Sequence, residues 1–383
     1  MKIIYLNKIK FPSNMPATVF STFNAYAFAQ NGVETYFIAR KNIIGTPKKV
    51  LEQYFDVKQL PNFHIKLFSA KFSRYESNEF LYLRAISWIV KKHRSLNFDY
   101  IITRDPAFLP YLFLLKILTR IKIVYQSHNF YVDLKKRPDL NPANRIKHHI
   151  LERLFIPFLD GMLTLQEPQK ELYQQYFKIP IFAGHPGLIK IQNTPIDRFI
   201  KKQIAYIGSF QAFKGVELAV NAFAKVRKKD WQLLLIGGRD DKEILFAKKL
   251  LKKYGIENQS KITGWLSYLE LKKYLSKVSV GILPLRDTFY NRYLTAPSKL
   301  FDYLSFGIPI IASNLPSIRD FTTNGRDGYL VAADSVNEFS NAMKKILQDR
   351  QKYEKLSENV YKTAERFLWE KCGKKVINFL EKL

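Results

Sequence analysis

Short, continuously apolar runs alternate along this chain with longer stretches whose apolar residues recur every three or four positions. In the first half the apolar runs are KIIYL (2–6), ETYFIA (34–39), HIKLF (64–68), YIIT (100–103), KIVYQ (122–126), GMLTL (161–165) and IPIFA (179–183). Helical patterns lie between them at 17–30, 78–95, 106–119, 143–158 and 167–177. Strands with unbroken apolar runs suit a parallel sheet covered on both faces. Their alternation with helices predicts βαβ units and a doubly wound sheet. The segment GHPGLIKIQNTPIDRFIKKQ (184–203) breaks the rhythm with proline, glycine and polar residues, and reads as an interdomain connection. Strands then resume at QIAYIGSF (203–210), WQLLLIGG (231–238), KITGW (261–265), VSVGILPL (278–285), IPIIAS (308–313) and GYLVAA (328–333). Helices are expected at 215–228, 241–254, 267–276, 298–306 and 335–348, and the last stretch, 351–383, is helical and basic. The chain therefore carries two sheets of similar size, one per half.

Two such domains facing a cleft would bind ligands beyond the carboxyl ends of their strands. Composition agrees with this picture. At 383 residues and 47% apolar, the chain is long enough for two or three domains and has ample apolar material for their cores. No run reaches the roughly 20 apolar residues of a membrane span, and AFLPYLFLL (107–115) is stopped by Lys116. The opening MKIIYLNK is too short for the apolar part of a signal peptide and reads as a first strand. A single cysteine, Cys372, excludes an internal disulfide and fits a reducing cytoplasm. The net charge of +29 has three readings: a solvated lysine-rich surface, attraction to an anionic membrane, or nucleic-acid binding. No nucleic-acid-binding signature accompanies the charge.

Four strand-to-helix loops in the second half carry candidate chemistry. In GSFQAFKG (208–215), Gly208 lets backbone approach closely and Lys214 brings a cation to a helix start, which suits a diphosphate. An ordinary loop lysine is the plain alternative. IGG (236–238) offers Gly237 and Gly238 for a tight turn before Arg239, although turn chemistry alone explains it. In TGWLS (263–267), Ser267 is a candidate N-cap. Trp265 is either a wall for a base or a packed indole. In TAPSKLFDYLSFGIPIIAS (295–313), Ser298 is expected as N-cap, with Asp302 one turn on along the same face and Leu300, Tyr303 and Leu304 inward. Gly307 fits the left-handed residue after the helix. Amides near Ser298 and Lys299 would meet an anion, and Asp302 would accept from sugar hydroxyls. Capping plus a surface salt bridge is the competing account.

The order GSFQAFKG, LLLIGG, TGWLSYLELKKYLSKVSVGILPL, APSKLFDYLSFGIPIIAS, GRDGYLVAADSVNEFSNAM resembles the retaining glycosyltransferases of family 4 over about 200–350. DYIITRDPAFLP and KIVYQSHNFY resemble that family's acceptor-side strands, and FLWEKCGKKVINFLEKL its final helix. The resemblance implies an α/β fold of the GT-B type: two Rossmann-like doubly wound domains facing a cleft, with a C-terminal helix crossing back to the first. The boundaries expected are 1–190 for an acceptor-binding domain, 200–360 for a nucleotide-sugar domain and 361–383 for the returning helix. The sequence follows a divergent subgroup with a PSKLFDY motif. Leu294 stands where the first acidic residue of the family's pair would be, Ser209 replaces an arginine, and FPSNMPA (11–17) lacks a Gly-Gly pair.

Carried over residue by residue, the resemblance implies that Lys214 and the amides at Ser298 and Lys299 hold the donor diphosphate. Asp302 then lies on the ribose, and Gly208, Ser209, Gly237, Gly238, Trp265 and Leu266 line the donor. His128 lies near the reacting sugar, while Asn14 and Arg104 belong to the acceptor side. The implied reaction transfers a sugar, with retention, from a UDP- or GDP-sugar to a hydroxyl of a glycan or lipid-linked acceptor. It needs no metal and no cofactor beyond the donor. The basic, aromatic region 64–153 suits a peripheral membrane surface. A lipid-linked or lipopolysaccharide-type acceptor at the inner face of the cell membrane is therefore expected, with no nucleic-acid partner. A catalytically silent sugar- or lipid-binding protein and a GT-B nucleotide-sugar epimerase are the alternatives.

Overall fold

Apolar runs that can be buried on both faces become the central strands of two parallel sheets. The computed structural model describes every residue except 14, 43–45, 195 and 227, together with all side chains other than those at 47, 142–144, 212 and 268. The chain divides into two units, Met1–Pro186 with Trp369–Leu383, and Gly187–Leu368.

In unit 1 the strands are β1 (Lys2–Phe11), β2 (Glu34–Lys41), β3 (Phe63–Phe68), β4 (Lys71–Phe72), β5 (Tyr75–Glu76), β6 (Tyr100–Thr103), β7 (Lys122–Gln126), β8 (Gly161–Thr164) and β9 (Ile181–Ala183). The helices are α1 (Pro16–Gln30), α2 (Pro47–Phe55), α3 (Asn78–Leu96), α4 (Leu109–Thr119), α5 (Pro142–Phe155) and α6 (Glu167–Gln174). The main sheet is parallel in the order β3-β2-β1-β6-β7-β8-β9, and β4 and β5 form a separate antiparallel ribbon. The chain winds one way from β1 and then returns past it to β6. The topological switch therefore falls between those two strands. Ile4, Leu6, Ile38, Ile101 and Ile123 pack against Leu81, Ala85, Leu112 and Leu115 of α3 and α4.

The other side of β1 and β2 is covered by α1, which is buried from Ser21 through Ala29 because a further helix packs on its outer side. That helix is the last of the chain, Trp369–Leu380. Gly373 lets it approach closely, since a Cβ there would stand 2.8 Å from Ala27 Cβ. Trp369 meets Phe20 and Phe23 at ring-centroid distances of 5.3 and 6.3 Å. The Tyr100 hydroxyl donates to Leu380 O at 2.6 Å.

Unit 2 has strands β10 (Gln203–Gly208), β11 (Gln232–Gly237), β12 (Ser260–Gly264), β13 (Val280–Leu283), β14 (Ile310–Ser313) and β15 (Gly328–Val331). Its helices are α7 (Val216–Ala224), α8 (Asp241–Lys253), α9 (Tyr268–Leu275), α10 (Phe289–Tyr293), α11 (Ser298–Ser305), α12 (Pro316–Arg319), α13 (Val336–Leu347) and α14 (Arg350–Arg366); α15 is Trp369–Leu380 of unit 1. The order β12-β11-β10-β13-β14-β15 puts the switch between β10 and β13. The stretch expected to be helical and basic, 351–383, falls in α14, which stops at Arg366, and in α15, which starts at Trp369. Among the described residues no helix is long and apolar enough to cross a membrane.

Candidate functional site

In unit 2 the loops after β10 and β13 meet at the switch point. Leaving β10, the chain passes Gly208 at φ 149° and makes a tight turn over Ala212–Lys214 before α7. Gly215 caps the start of α7 with φ 78°, and a Cβ there would land on the carbonyl oxygen of Pro284. Asn291 ties the loops together from full burial. Its Nδ2 donates to Phe213 O at 3.3 Å and to Arg286 O at 2.8 Å. Lys214 is thereby held half-buried, its Nζ 4.9 Å from the Phe213 ring centre and 5.8 Å from that of Tyr290. Burial, and then the charge of Arg239, hold its ammonium below the usual lysine range. Among the described residues no carboxylate pairs with Lys214, and a second cation, Arg239, stands beside it.

Gly237 and Gly238 turn the chain out of β11 at φ 140° and 94°. Their first cause is protein packing: a Cβ at Gly237 would fall on Gly208 O, its partner in register. Glu243 fixes both loops by accepting from the amides of Phe210 (2.9 Å) and Arg239 (3.0 Å). Ser209 is buried, its hydroxyl donating to Gln211 Oε1 at 3.3 Å. After β12, Ser267 caps α9 in a reciprocal box with Glu270. Trp265 stands 60% exposed and Leu266 half-buried beside it.

The expected cap of α11 is corrected. Pro297, extended at φ −70° and ψ 117°, occupies the N-cap, so Ser298 is the first helical residue and no side chain caps the helix. A proline there brings no capping oxygen, and the amides of Ser298 and Lys299 start the helix uncapped. The rest of this helix follows its sequence. Leu300, Tyr303 and Leu304 are fully buried. Gly281 in β13 makes room for Tyr303, because a Cβ would stand 2.6 Å from that ring. The Tyr303 hydroxyl donates to Ala205 O at 2.8 Å, docking the helix on the sheet. Gly307, at φ 62°, closes a Schellman motif: Gly307 N–H bonds Leu304 O and Ile308 N–H bonds Tyr303 O, both at 3.0 Å. The buried Arg198 guanidinium takes the carbonyls of Phe306 and Gly307. Asp302 carries an ion pair with Lys299 at 3.4 Å, and Leu294 is a buried apolar residue ending α10.

In unit 1, Arg104 follows β6 and His128 follows β7, so both stand at the carboxyl edge of the sheet near its switch point. Arg104 is buried, lies 4.1 Å over the Phe20 ring and reaches Ser21 Oγ at 3.5 Å. Lys8 pairs with the buried Asp105 at 3.1 Å. Crowding by the protein, then Arg104, Lys8 and His148, push the His128 pKa down. His128 itself is exposed, which reduces that crowding, while the cations of Arg104 and Lys8 remain beside it. Its imidazole is therefore neutral at pH 7. Asn14 lies outside the described residues. Among the described residues no group of three His, Cys, Asp or Glu side chains could hold a metal ion.

Residues 198–363 match the family model for glycosyl transferases group 1. An uncharacterized glycosyltransferase of Haemophilus influenzae is 22% identical over 69% of this chain and 71% of its own length. Sucrose-phosphate synthase from Thermosynechococcus elongatus superposes with a TM-score of 0.73 at 18% identity, over 100% of this chain and 99% of that one. HepE of Anabaena, in complex with UDP and glucose, does so with a TM-score of 0.72 at 13% identity and complete coverage of both chains. The fold is GT-B, and the matches support a glycosyltransferase.

Within this GT-B fold, sequence reading missed the scaffold that holds the His128 loop. Glu152 of α5 is fully buried. It accepts from the hydroxyls of Tyr125 (3.0 Å) and Tyr173 (3.1 Å) and from Tyr131 N–H (2.9 Å). Arg137, also buried, donates to Asn129 Oδ1 and grips Asp139 with two bonds of 2.8 and 2.7 Å. Gln169 Nε2 donates to Asn129 O at 3.0 Å. Two helices, α5 and α6, and the turn that ends at Arg137 thus clamp residues 127–131.

Proposed function

We propose that this GT-B protein transfers a sugar, with retention of configuration, from a nucleotide-diphosphate donor bound by unit 2 to a hydroxyl of a glycan or lipid-linked acceptor bound by unit 1. The reading rests on Lys214: a half-buried cation beside Arg239, lacking a carboxylate partner among the described residues, at the switch point of the second sheet. Such a position invites a dianionic group, and HepE, whose fold is the same, is described with UDP. As the glycosidic bond breaks, charge grows on the departing diphosphate. Lys214 and the uncapped amides of Ser298 and Lys299 stabilise it, and fixed donors aimed at developing charge are often the largest catalytic contribution. Asp302 takes the ribose, with Lys299 limiting its swing. Trp265 and Leu266 flank the base. Arg104 orients the acceptor, and His128 positions the reacting sugar. The net charge of +29 fits work at the inner, anionic face of a cell membrane in envelope polysaccharide or glycolipid synthesis.

Isothermal titration with UDP and GDP tests the donor site. Binding of one nucleotide that weakens by about 100-fold in Lys214→Ala supports the reading. Equal affinity in the variant overturns it, as does tight, salt-sensitive RNA binding with no nucleotide affinity. A screen of common nucleotide sugars separates the alternatives. A silent binding protein binds without turnover, and an epimerase interconverts donors without releasing sugar.

A further inference from the structure

We propose that the outer face of α4 and α5 in unit 1 docks on an anionic lipid bilayer. The proposal deepens the peripheral-membrane reading above and rests on it, because it gives that contact a place. On α4, Leu114, Ile117 and Leu118 share one side at i, i+3 and i+4; on α5, Ile146, Ile150 and Leu154 form a stripe at i, i+4 and i+8. All six are between 49% and 78% exposed. Phe113 joins the two helices, meeting Phe155 at 5.7 Å and Phe158 at 5.2 Å between ring centres. Contiguous apolar surface of this kind marks an interaction site.

Charge selects the occupant. Lys147 and Arg153 are exposed and flank the apolar stripe of α5, and Arg120 is exposed where α4 ends. The two helices hold one carboxylate between them, Glu152, which is fully buried. The nearby Asp160 is already taken by Lys116 at 2.9 Å. The face is thus apolar, rimmed by cations and free of exposed acid, the pattern of a helix surface that lies in a lipid headgroup layer. A second copy of the same face would bring like charges together, which disfavours self-association.

The test is co-sedimentation of the full chain with vesicles rich in phosphatidylglycerol and with vesicles of pure phosphatidylcholine. The wild type should pellet with the first and stay in solution with the second. The double variant Leu118→Asp/Ile150→Asp should lose about ten-fold or more in partition, and Lys147→Glu should weaken it as well. Unchanged partition in the double variant overturns the proposal, because binding would then be the diffuse attraction of a basic chain. A dimer of the wild type that the double variant dissolves also overturns it, since a second copy would cover the face. Donor hydrolysis in vesicle-free buffer is read on the same preparations. Retained hydrolysis with lost partition shows a folded enzyme and a lost docking face. Normal partition with no hydrolysis of any donor instead removes the transferase reading and leaves the docking face standing.

Discussion

The buried Glu152 makes the stability of unit 1 depend on pH in a direction opposite to that of most carboxylates. Burial pushes its carboxyl up to about 7, against the lowering effect of Tyr131 N–H, the hydroxyls of Tyr125 and Tyr173, and Arg137. In the unfolded chain it returns to its ordinary value of 4.5. Between those two values the folded state holds a proton that the unfolded state has released. The stabilisation is therefore complete below about pH 4.5 and is lost as pH rises through about 7. A shift of that size is worth about 3 kcal/mol at about 1.36 kcal/mol per pH unit. Other groups titrate nearby. His128 and His148 have lowered pKa values, so they remove stability as pH falls below their usual range. Asp133 and Asp139, held low by Tyr176 and Arg137, lose their contribution only at more acid pH. A difference measurement cancels these terms.

The measurement compares wild type with Glu152→Gln by urea unfolding at several pH values from about 5 to 8, spanning the titration of the folded carboxyl. Trp88 and Trp369 report on unit 1 once Trp231 and Trp265 of unit 2 are replaced by Phe. The amide that replaces the carboxyl faces the Tyr131 N–H with one donor too many on one side, which gives a constant, pH-independent penalty. On top of it, the variant should gain on the wild type by about 2–3 kcal/mol between about pH 5 and pH 8. A difference that is flat across this range, or that moves the other way, refutes the assignment of a protonated Glu152 to the folded state.

Two further outcomes concern α11. Gly307→Ala forces a left-handed φ on a residue with a Cβ and drives that Cβ into the Tyr361 ring. Unit 2 should lose about 2–4 kcal/mol in denaturant unfolding, and adding Tyr361→Leu should restore part of it. Arg198→Met strips the guanidinium from Phe306 O, Gly307 O and Ser357 Oγ, where it donates at 3.2 Å to the last. The expected cost is about 2–3 kcal/mol, with faster amide exchange at the carboxyl end of α11 as the local readout.

The strands were legible because a parallel sheet demands continuous apolar runs, and each expected run is a strand, YIIT and KIVYQ with the same bounds. The ribbon of β4 and β5 was not, since KFSRYE is exposed on both strands and carries no alternation. The short helices α10 and α12 escaped for the same reason: one turn or so has no period. At the site, loop ends exposed Lys214, Arg104 and His128 to inspection because switch-point geometry says where to look. Ser298 misled because serine is a better cap than proline in general, yet here the chain enters the helix one residue earlier. Glu152, Arg137 and Arg198 were illegible. In HHILERLF the glutamate reads as a surface residue. Its burial depends on Tyr125 and Tyr173, which arrive from a strand and a helix remote in sequence.

The charges of unit 1 bear on where the proton of the attacking hydroxyl goes in the proposed reaction. A general base must become a cation if it is an imidazole, and His128 would do so beside Arg104, Lys8 and His148, the neighbours that already lower its affinity for a proton. Each cation beside His128 therefore makes it a poorer base. The loop clamp is consistent with this. Asn129 is fixed by Arg137 and Gln169, and Tyr131 by Glu152, so the imidazole is carried on a rigid turn suited to orienting a neutral ring. The departing diphosphate gains negative charge as the bond breaks and is itself the stronger acceptor at that moment. On this reasoning the proton passes to the diphosphate oxygen and His128 positions the sugar. His128→Gln, which keeps a hydrogen-bonding side chain but cannot act as a base at neutral pH, should then retain far more turnover than His128→Ala. Equal loss in the two variants would return the proton to the histidine.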